Sequence, residues 1–320
     1  MGIEAEEVDT ELLGGAGSRS RAVYGRRAPF AGGYRVGMTE EPAPYGSRPT
    51  ASPDVRKVRT HHLAKWKSEG HRWAMLTSYD QYTAQLFDEA GIPVLLVGDS
   101  AANNVFGYES SLPVTVDELL VLVKAVTRSV QRTLVVADLP FGSYQRDPEQ
   151  AYDTGVRFMK EGLAHAVKLE GGAEMAPQIR KLTEGGIPVM AHIGFTPQSE
   201  HSLGGYRVQG RGDARQRLID DALAVQDAGA FAVVMEMVPE PVATEITSTL
   251  RIPTVGIGAG AGCDAQVLVW QDMLGLRAGR APRFVKKYAD LRSVISGAVE
   301  QFQNEVADGS FPAAEHSFES

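Results

Sequence analysis

Short apolar runs that stop abruptly on an ionisable side chain recur through this chain. Val94-Leu-Leu-Val-Gly-Asp-Ser100 reaches Asp99, Leu134-Val-Val-Ala-Asp138 ends on Asp138, and Ala166-Val-Lys-Leu-Glu170 ends on Glu170. Val189-Met-Ala-His192 and Ala232-Val-Val-Met-Glu236 repeat the design, and Thr254-Val-Gly-Ile-Gly258 runs into glycines. Each run is long enough for a strand buried on both faces and too short for a stable helix. Helical patterns fill the gaps between them. Alternating strands and helices with continuous apolar strands specify a parallel α/β fold, in which sites form at the C-terminal strand ends. The polar residues that end these runs are therefore the candidate chemistry.

Strands are expected near residues 74, 95, 135, 167, 190, 233, 255 and 268, with Gln266 to Met273 supplying the last. These units predict a (β/α)8 TIM barrel, with a doubly wound open sheet as the alternative. Helix starts carry capping chemistry: Tyr79-Asp80, Thr115-Val-Asp-Glu118 with capping-box spacing, and Asp147-Pro148 with proline at the first helical position. A basic N-terminal helix is expected over residues 57–70 and a C-terminal helix over 284–306, followed by a short flexible tail. Residues 1–56 scatter Gly, Pro, Ser and Arg without period and read as a disordered extension ahead of a catalytic domain over 57–320. Met38 is a second plausible translation start.

A net charge of −8 argues against a nucleic-acid partner, which favours a basic face. No apolar run approaches the length of a membrane span, and no signal-peptide core opens the chain. The single cysteine, Cys263, excludes an intrachain disulfide and points to the cytoplasm.

Asp99, Asp138 and Glu170 end three successive strands, so they are expected to converge at one barrel mouth. A few hard oxygen ligands with room for waters and substrate oxygens suit Mg2+; the bland reading is separate ion pairs or helix caps. Lys168 lies two residues before Glu170 and shares its strand face. It can hold a substrate carboxylate, form a Schiff base, or pair structurally with Glu170. Glu236 sits among apolar neighbours that raise a carboxyl pKa, which suits a general base, or it is a hydrogen-bonded core carboxylate. His192 is read as a structural or substrate contact behind the ligands rather than a metal ligand. Gly256-Ile-Gly-Ala-Gly-Ala261 fits the dinucleotide fingerprint only loosely; a turn that approaches a ligand and plain tight packing stand about even. The polar segment from Gly194 to Asp213 has the length and arginine and aromatic content of an active-site lid.

Taken together, Leu-Leu-Val-Gly-Asp-Ser100, Ala-Asp-Leu-Pro-Phe141, Val-Lys-Leu-Glu-Gly-Gly172, Gly-Phe-Thr-Pro-Gln-Ser199, Gly-Gly-Tyr-Arg-Val-Gln-Gly-Arg-Gly-Asp213 and Val-Gly-Ile-Gly-Ala-Gly260 resemble the ketopantoate hydroxymethyltransferase family over roughly residues 57–318. The resemblance implies a TIM barrel akin to phosphoenolpyruvate mutase and isocitrate lyase. It implies hydroxymethyl transfer from 5,10-methylenetetrahydrofolate to 3-methyl-2-oxobutanoate through a Mg-stabilised enolate, on the route to pantothenate and coenzyme A. By motif, Asp99 and Asp138 would bind Mg2+, with Glu170 completing the metal site. Asp99, Ser100, Asp138 and Lys168 would line the keto acid, and Glu236 would take the proton. A homo-oligomer, typically a decamer, is implied as well. Two other readings stay open: a Mg-dependent lyase of 2-oxo acids, which commonly carries a lid cysteine as acid, and a non-catalytic keto-acid-binding barrel.

Overall fold

The computed structural model describes residues 56–318. The calls on a disordered N-terminal extension and on a start at Met38 fall on residues outside that range. Eight parallel strands close into a barrel in sequence order: β1 (Trp73–Thr77), β2 (Val94–Val97), β3 (Leu134–Asp138), β4 (Ala166–Glu170), β5 (Val189–Gly194), β6 (Ala232–Glu236), β7 (Thr254–Ile257) and β8 (Ala265–Leu268). β8 pairs with β1, so the sheet has no free edge and the open-sheet alternative falls. Two apolar cores result. Outward residues such as Leu95, Val135, Val167 and Ala191 pack under the helices, while Val94, Leu96, Val136, Ala166, Met190 and Val234 fill the barrel interior. That division is the strand period of two applied to eight strands at once.

Helix Thr60–Ser68 closes the N-terminal mouth of the barrel. Leu63 is fully buried there and, with Trp66, joins the interior core. Lys67 fixes the helix by donating to the Thr247 carbonyl and to Asp264, each at 2.8 Å. With one end plugged, chemistry is confined to the other.

The capping signals act as read. Asp80 accepts from the amides of Tyr82 and Thr83, Thr115 and Glu118 form a reciprocal box, and Asp147 accepts from Gln150 ahead of Pro148. Each such cap stabilises its helix by about 1 kcal/mol. Leu119, Val123 and Val126 form the buried face of helix Val116–Thr127, and Leu218, Ala222 and Val225 that of helix Ala214–Asp227.

Three boundaries differ from the sequence expectation. The last strand ends at Leu268, and Trp270–Met273 is a helical turn whose first amide bonds Thr77 Oγ1 of β1. The C-terminal helix is Leu291–Asp308, and residues 284–290 are turn or irregular. Between β7 and β8 there is no helix: residues 258–264 return directly to the N-terminal end, where Ala265 pairs with Val255. The outward residues Ala74 and Gln266 are exposed in consequence. A cavity of about 430 Å³ lies along this uncovered face, lined by Arg72, Trp73, Cys263, Gln266 and Phe284 among others. The glycines of residues 256–262 are packing glycines. A Cβ on Gly260 would run into Glu240, and one on Gly262 into Thr244, both on helix Glu240–Thr249. No helix among the described residues is long and apolar enough to cross a membrane.

His165, just before β4, accepts the Val135 amide at Nδ1 over 2.9 Å. Burial, then the charges of Lys57 and Arg59, push its pKa down to about 4 from 6.5. The folded state therefore binds its proton only near pH 4, whereas the unfolded chain binds it near 6.5, so stability is complete above about pH 6.5 and declines as pH falls towards 4. The loss attributable to this group reaches about 3 kcal/mol. Thermal melting from pH 7.5 down to about 4.5 checks this: His165→Asn, which can keep an acceptor without titrating, should show a shallower acid decline than the wild type.

Candidate active site

The inward positions at the open end carry the polar residues. In the register, Asp138 pairs with Lys168 across β3 and β4, Glu170 with His192 across β4 and β5, and Gly194 with Glu236 across β5 and β6. Asp99 stands two residues beyond β2 and joins them from the loop. Asp99, Asp138, Lys168, Glu170 and His192 are all buried, while the Glu236 side chain is 15% exposed. The sequence-predicted site residues thus converge as a group.

Their contacts form one network. Lys168 Nζ lies 2.6 Å from Asp138 Oδ1, and the Asp99 amide donates to Asp138 Oδ2 at 2.9 Å. Lys168 Nζ is also 3.4 Å from His192 Nδ1. His192 Nδ1 is 3.2 Å from Glu170 Oε1, and its Nε2 is 3.4 Å from Glu236 Oε2. His192 therefore bridges two carboxylates and links Glu236 to the rest. Ser100 Oγ shares a hydrogen bond of 2.9 Å with Tyr79 Oη. Gly98 lets the chain turn here, since a Cβ would sit 2.8 Å from Ser100 Oγ and 3.3 Å from Asp138 Oδ2. Two expectations change. The lysine pairs with Asp138 and not with Glu170, and Glu236 emerges beside a histidine rather than sealed among apolar side chains.

The charges are strongly coupled. Burial disfavours a charged Lys168, but Asp138, Glu170 and Asp99 outweigh it and hold the lysine above its ordinary range. A lysine so held is not the neutral amine that Schiff-base formation needs. His192 is likewise pulled down by burial and by Lys168, yet Glu170 and Glu236 raise it to about 9, so it is a cation at neutral pH. Asp99 is pushed up to about 8 by burial, then by Asp138 and Glu170, against Lys168 and a hydrogen bond from Gln198. With Asp99 ionised, four carboxylates face one lysine and one histidine, an excess of negative charge equal to one divalent cation.

That excess, and a donor set of carboxylate oxygens, fit Mg2+ better than the softer metals that favour nitrogen and sulfur ligands. Among the described residues none donates to Asp99 Oδ1, which is left available. No three His, Cys, Asp or Glu side chains among the described residues form a ready-made cage. Asp99 and Asp138 would be the residues that hold it, with waters and substrate oxygens as the other donors.

The segment after β5 is more ordered than a plain polar loop. Gly194, at φ +92°, turns the chain so closely over β6 that a Cβ would run into the Glu236 carbonyl. The Phe195 amide donates to the Glu236 carbonyl at 2.8 Å, and the Gln209 amide to that of Met237 at 2.9 Å. Both feet of the loop are pinned beside Glu236. Its first part, with Phe195, Thr196 and Gln198, is buried, whereas Tyr206 stacks on Phe195 at 4.7 Å and remains largely exposed.

Sequence reasoning missed Gln198, Tyr144 and Tyr79. Gln198 touches Asp99, Glu170 and Tyr144, and Tyr144 also bonds the Glu170 backbone. The only available signal was an amide inside the Gly-Phe-Thr-Pro-Gln-Ser199 motif. Cys263 lies behind β7, where a Cβ on Gly256 would be 2.8 Å from its Sγ, and burial pushes its thiol up to about 11.

The family model for ketopantoate hydroxymethyltransferase matches residues 57–314. The chain is 66% identical over 291 residues to the 3-methyl-2-oxobutanoate hydroxymethyltransferase of Nocardioides sp., covering 89% of this chain and 99% of that one. It is 64% identical to the enzyme of the same name from Saccharopolyspora erythraea, covering 88% of this chain and 94% of the relative. Among solved structures, 2,3-dimethylmalate lyase superposes with a TM-score of 0.52 at 16% identity, over 81% of this chain and 88% of that chain. Phosphonopyruvate hydrolase in complex with oxalate and Mg++ gives 0.52 at 13% identity, over 80% and 92%. These two likenesses show the barrel alone, whereas the sequence matches span nearly the whole of each relative, and the chain belongs to the ketopantoate hydroxymethyltransferase family.

Proposed function

We propose that this transferase moves a hydroxymethyl group from 5,10-methylenetetrahydrofolate to 3-methyl-2-oxobutanoate at the open barrel mouth, giving 2-dehydropantoate and tetrahydrofolate. Water supplies the hydroxyl oxygen. The observation that carries the reading is the buried Asp99, Asp138 and Lys168 cluster joined through His192 to Glu236. Mg2+ held by Asp99 and Asp138, with Glu170 behind them, would supply Lewis-acid polarisation of the keto group and so acidify C3. Lys168 balances the substrate carboxylate, and Ser100 donates to it. Glu236 accepts the C3 proton, with His192 holding its carboxylate in place. The enolate carbon then forms the new bond to the folate-borne methylene. The loop pinned over Glu236 shields that carbon from premature protonation.

Proton NMR of 3-methyl-2-oxobutanoate in D₂O tests the assignment. The wild type with Mg2+ should exchange the C3 proton and, once methylenetetrahydrofolate is added, build a hydroxymethyl signal. Glu236→Gln should bind the keto acid by calorimetry yet exchange slower by about 100-fold or more. Exchange at the wild-type rate in that variant would remove Glu236 from the role of base.

The titration of Asp99 gives a second test. Below about pH 8 cation binding has to displace its proton. Apparent Mg2+ affinity should therefore climb with pH, by about tenfold per unit for one displaced proton, and level off above about 8. Calorimetry at pH 7 in buffers of different ionisation enthalpy should report about one proton released per Mg2+ bound. No release would show that Asp99 is not a ligand.

A lyase acting on a 2-oxo acid at the same site would call for a lid cysteine as acid. Cys263 lies at the far end of β7 with its thiol held protonated, which supports the transferase over that reading. Cytoplasmic residence belongs to the same proposal and rests on this single buried thiol.

A homo-oligomer, which we read as a decamer by resemblance to the family, completes the proposal. Val294, Ile295, Val299, Phe302 and Val306 recur at helical spacing along Leu291–Asp308, and all are exposed. Such a stripe needs an apolar partner, and the face left uncovered between β7 and β1 offers one on another copy. Light scattering should give a mass several times 34.5 kDa. Val299→Asp with Phe302→Glu should lower it, and a monomeric wild type would refute the assembly.

A further inference from the structure

Gln198 uses every hydrogen-bonding valence of its side chain. Its Nε2 donates to Asp99 Oδ2 at 2.9 Å and to the Leu139 carbonyl at 3.0 Å. Its Oε1 accepts from Tyr144 Oη at 2.7 Å and from Gln145 Nε2 at 3.0 Å. An amide has two donor hydrogens and two acceptor lone pairs, so none is left over. The Leu139 carbonyl beside Nε2 is a pure acceptor, which fixes which end of the amide is nitrogen. Tyr144 reinforces the choice: its hydroxyl takes the Glu170 amide at 3.1 Å and so turns its own proton towards acceptors, of which Gln198 Oε1 is the nearer. The backbone amide of Gln198 meanwhile donates to Glu170 Oε2 at 2.9 Å.

The contacts tie together four separate pieces of the site, the loop that carries Gln198 included. Asp99 follows β2, Leu139 follows β3, Glu170 ends β4, and Gln198 itself rides on the loop after β5. The residue is buried, so water does not substitute for any of these bonds. Gln198 engages Oδ2 of Asp99 only, and by doing so holds the carboxylate at one rotation while no described residue donates to Oδ1.

We infer that Gln198, oriented by Tyr144, is a positioning residue that fixes Asp99 and Glu170 for cation binding, so that the metal site is complete only when the loop after β5 is seated. The inference rests on the metal reading given above. Groups that hydrogen-bond a metal-binding carboxylate typically change metal affinity by about 10- to 100-fold when removed.

The test uses the full chain, stripped of metal with chelator, and Mn2+ alone as probe, read from the electron paramagnetic resonance signal of the free ion. Gln198→Met keeps the length of the side chain and the backbone bond to Glu170 but removes both side-chain donors. It should bind Mn2+ about 10- to 100-fold more weakly while melting within a few degrees of the wild type. Tyr144→Phe should weaken binding in the same direction but less. The double variant should be no worse than Gln198→Met alone, because both act on one bond, which a merely structural role would not produce. Wild-type affinity in Gln198→Met, or additive losses in the pair, would overturn the inference. If Gln198→Met does not fold, Tyr144→Phe decides alone: weaker Mn2+ binding at unchanged melting supports the inference, and unchanged binding sinks it. Asp138→Asn separates the two levels. If the wild type takes up no Mn2+ that this variant abolishes, the metal reading itself falls and the inference with it. If Asp138→Asn loses the ion and Gln198→Met does not, only the inference falls.

Discussion

Everything at the mouth of this barrel depends on one buried ion pair, Lys168 with Asp138. A lysine inside a barrel is costly unless its charge is answered. Here three carboxylates answer it, and the surplus negative charge then needs an answer of its own. The histidine supplies part, and a divalent cation would supply the remainder. Removing any one charge leaves the others uncompensated in a low-dielectric space, so the group functions as a unit and its members cannot be exchanged singly.

The barrel makes such a group possible at modest cost. Its lower half is an apolar plug of Val94, Leu134, Ala166, Met190 and Ala232, sealed by Leu63 from below. Polar residues appear only in the last inward layers. Strand pairing fixes their spacing, since Asp138 and Lys168, then Glu170 and His192, are register partners in adjacent parallel strands. The closed barrel pairs each of these strands on both sides, so the backbone cannot readily shift to separate the charges.

Much of this was legible in the chain. In Ala166-Val-Lys-Leu-Glu170 the period of two already puts Lys168 and Glu170 on one face, and continuous apolar strands already demand cover on both sides. What stayed hidden involves groups without charge or pattern. Gln198 and Tyr144 act through hydrogen bonds across more than fifty residues of sequence, which no local period records. For a structural partner of Lys168 the sequence offers only Glu170, its neighbour on the same strand, whereas Asp138 on the next strand depends on register. The absent helix between β7 and β8 was implicit in how close the last two strands lie, yet the apolar residues near Trp270 extended the apparent strand past its end.

The loop that begins at Phe195 and ends at Gln209 is fastened by both ends to residues 236 and 237. Any displacement of that loop would tug on the backbone that carries Glu236 and withdraw the side-chain amide bonded to Asp99. An open enzyme is therefore a disarmed one. Covering the site and arming it are thus done by the same short segment of chain.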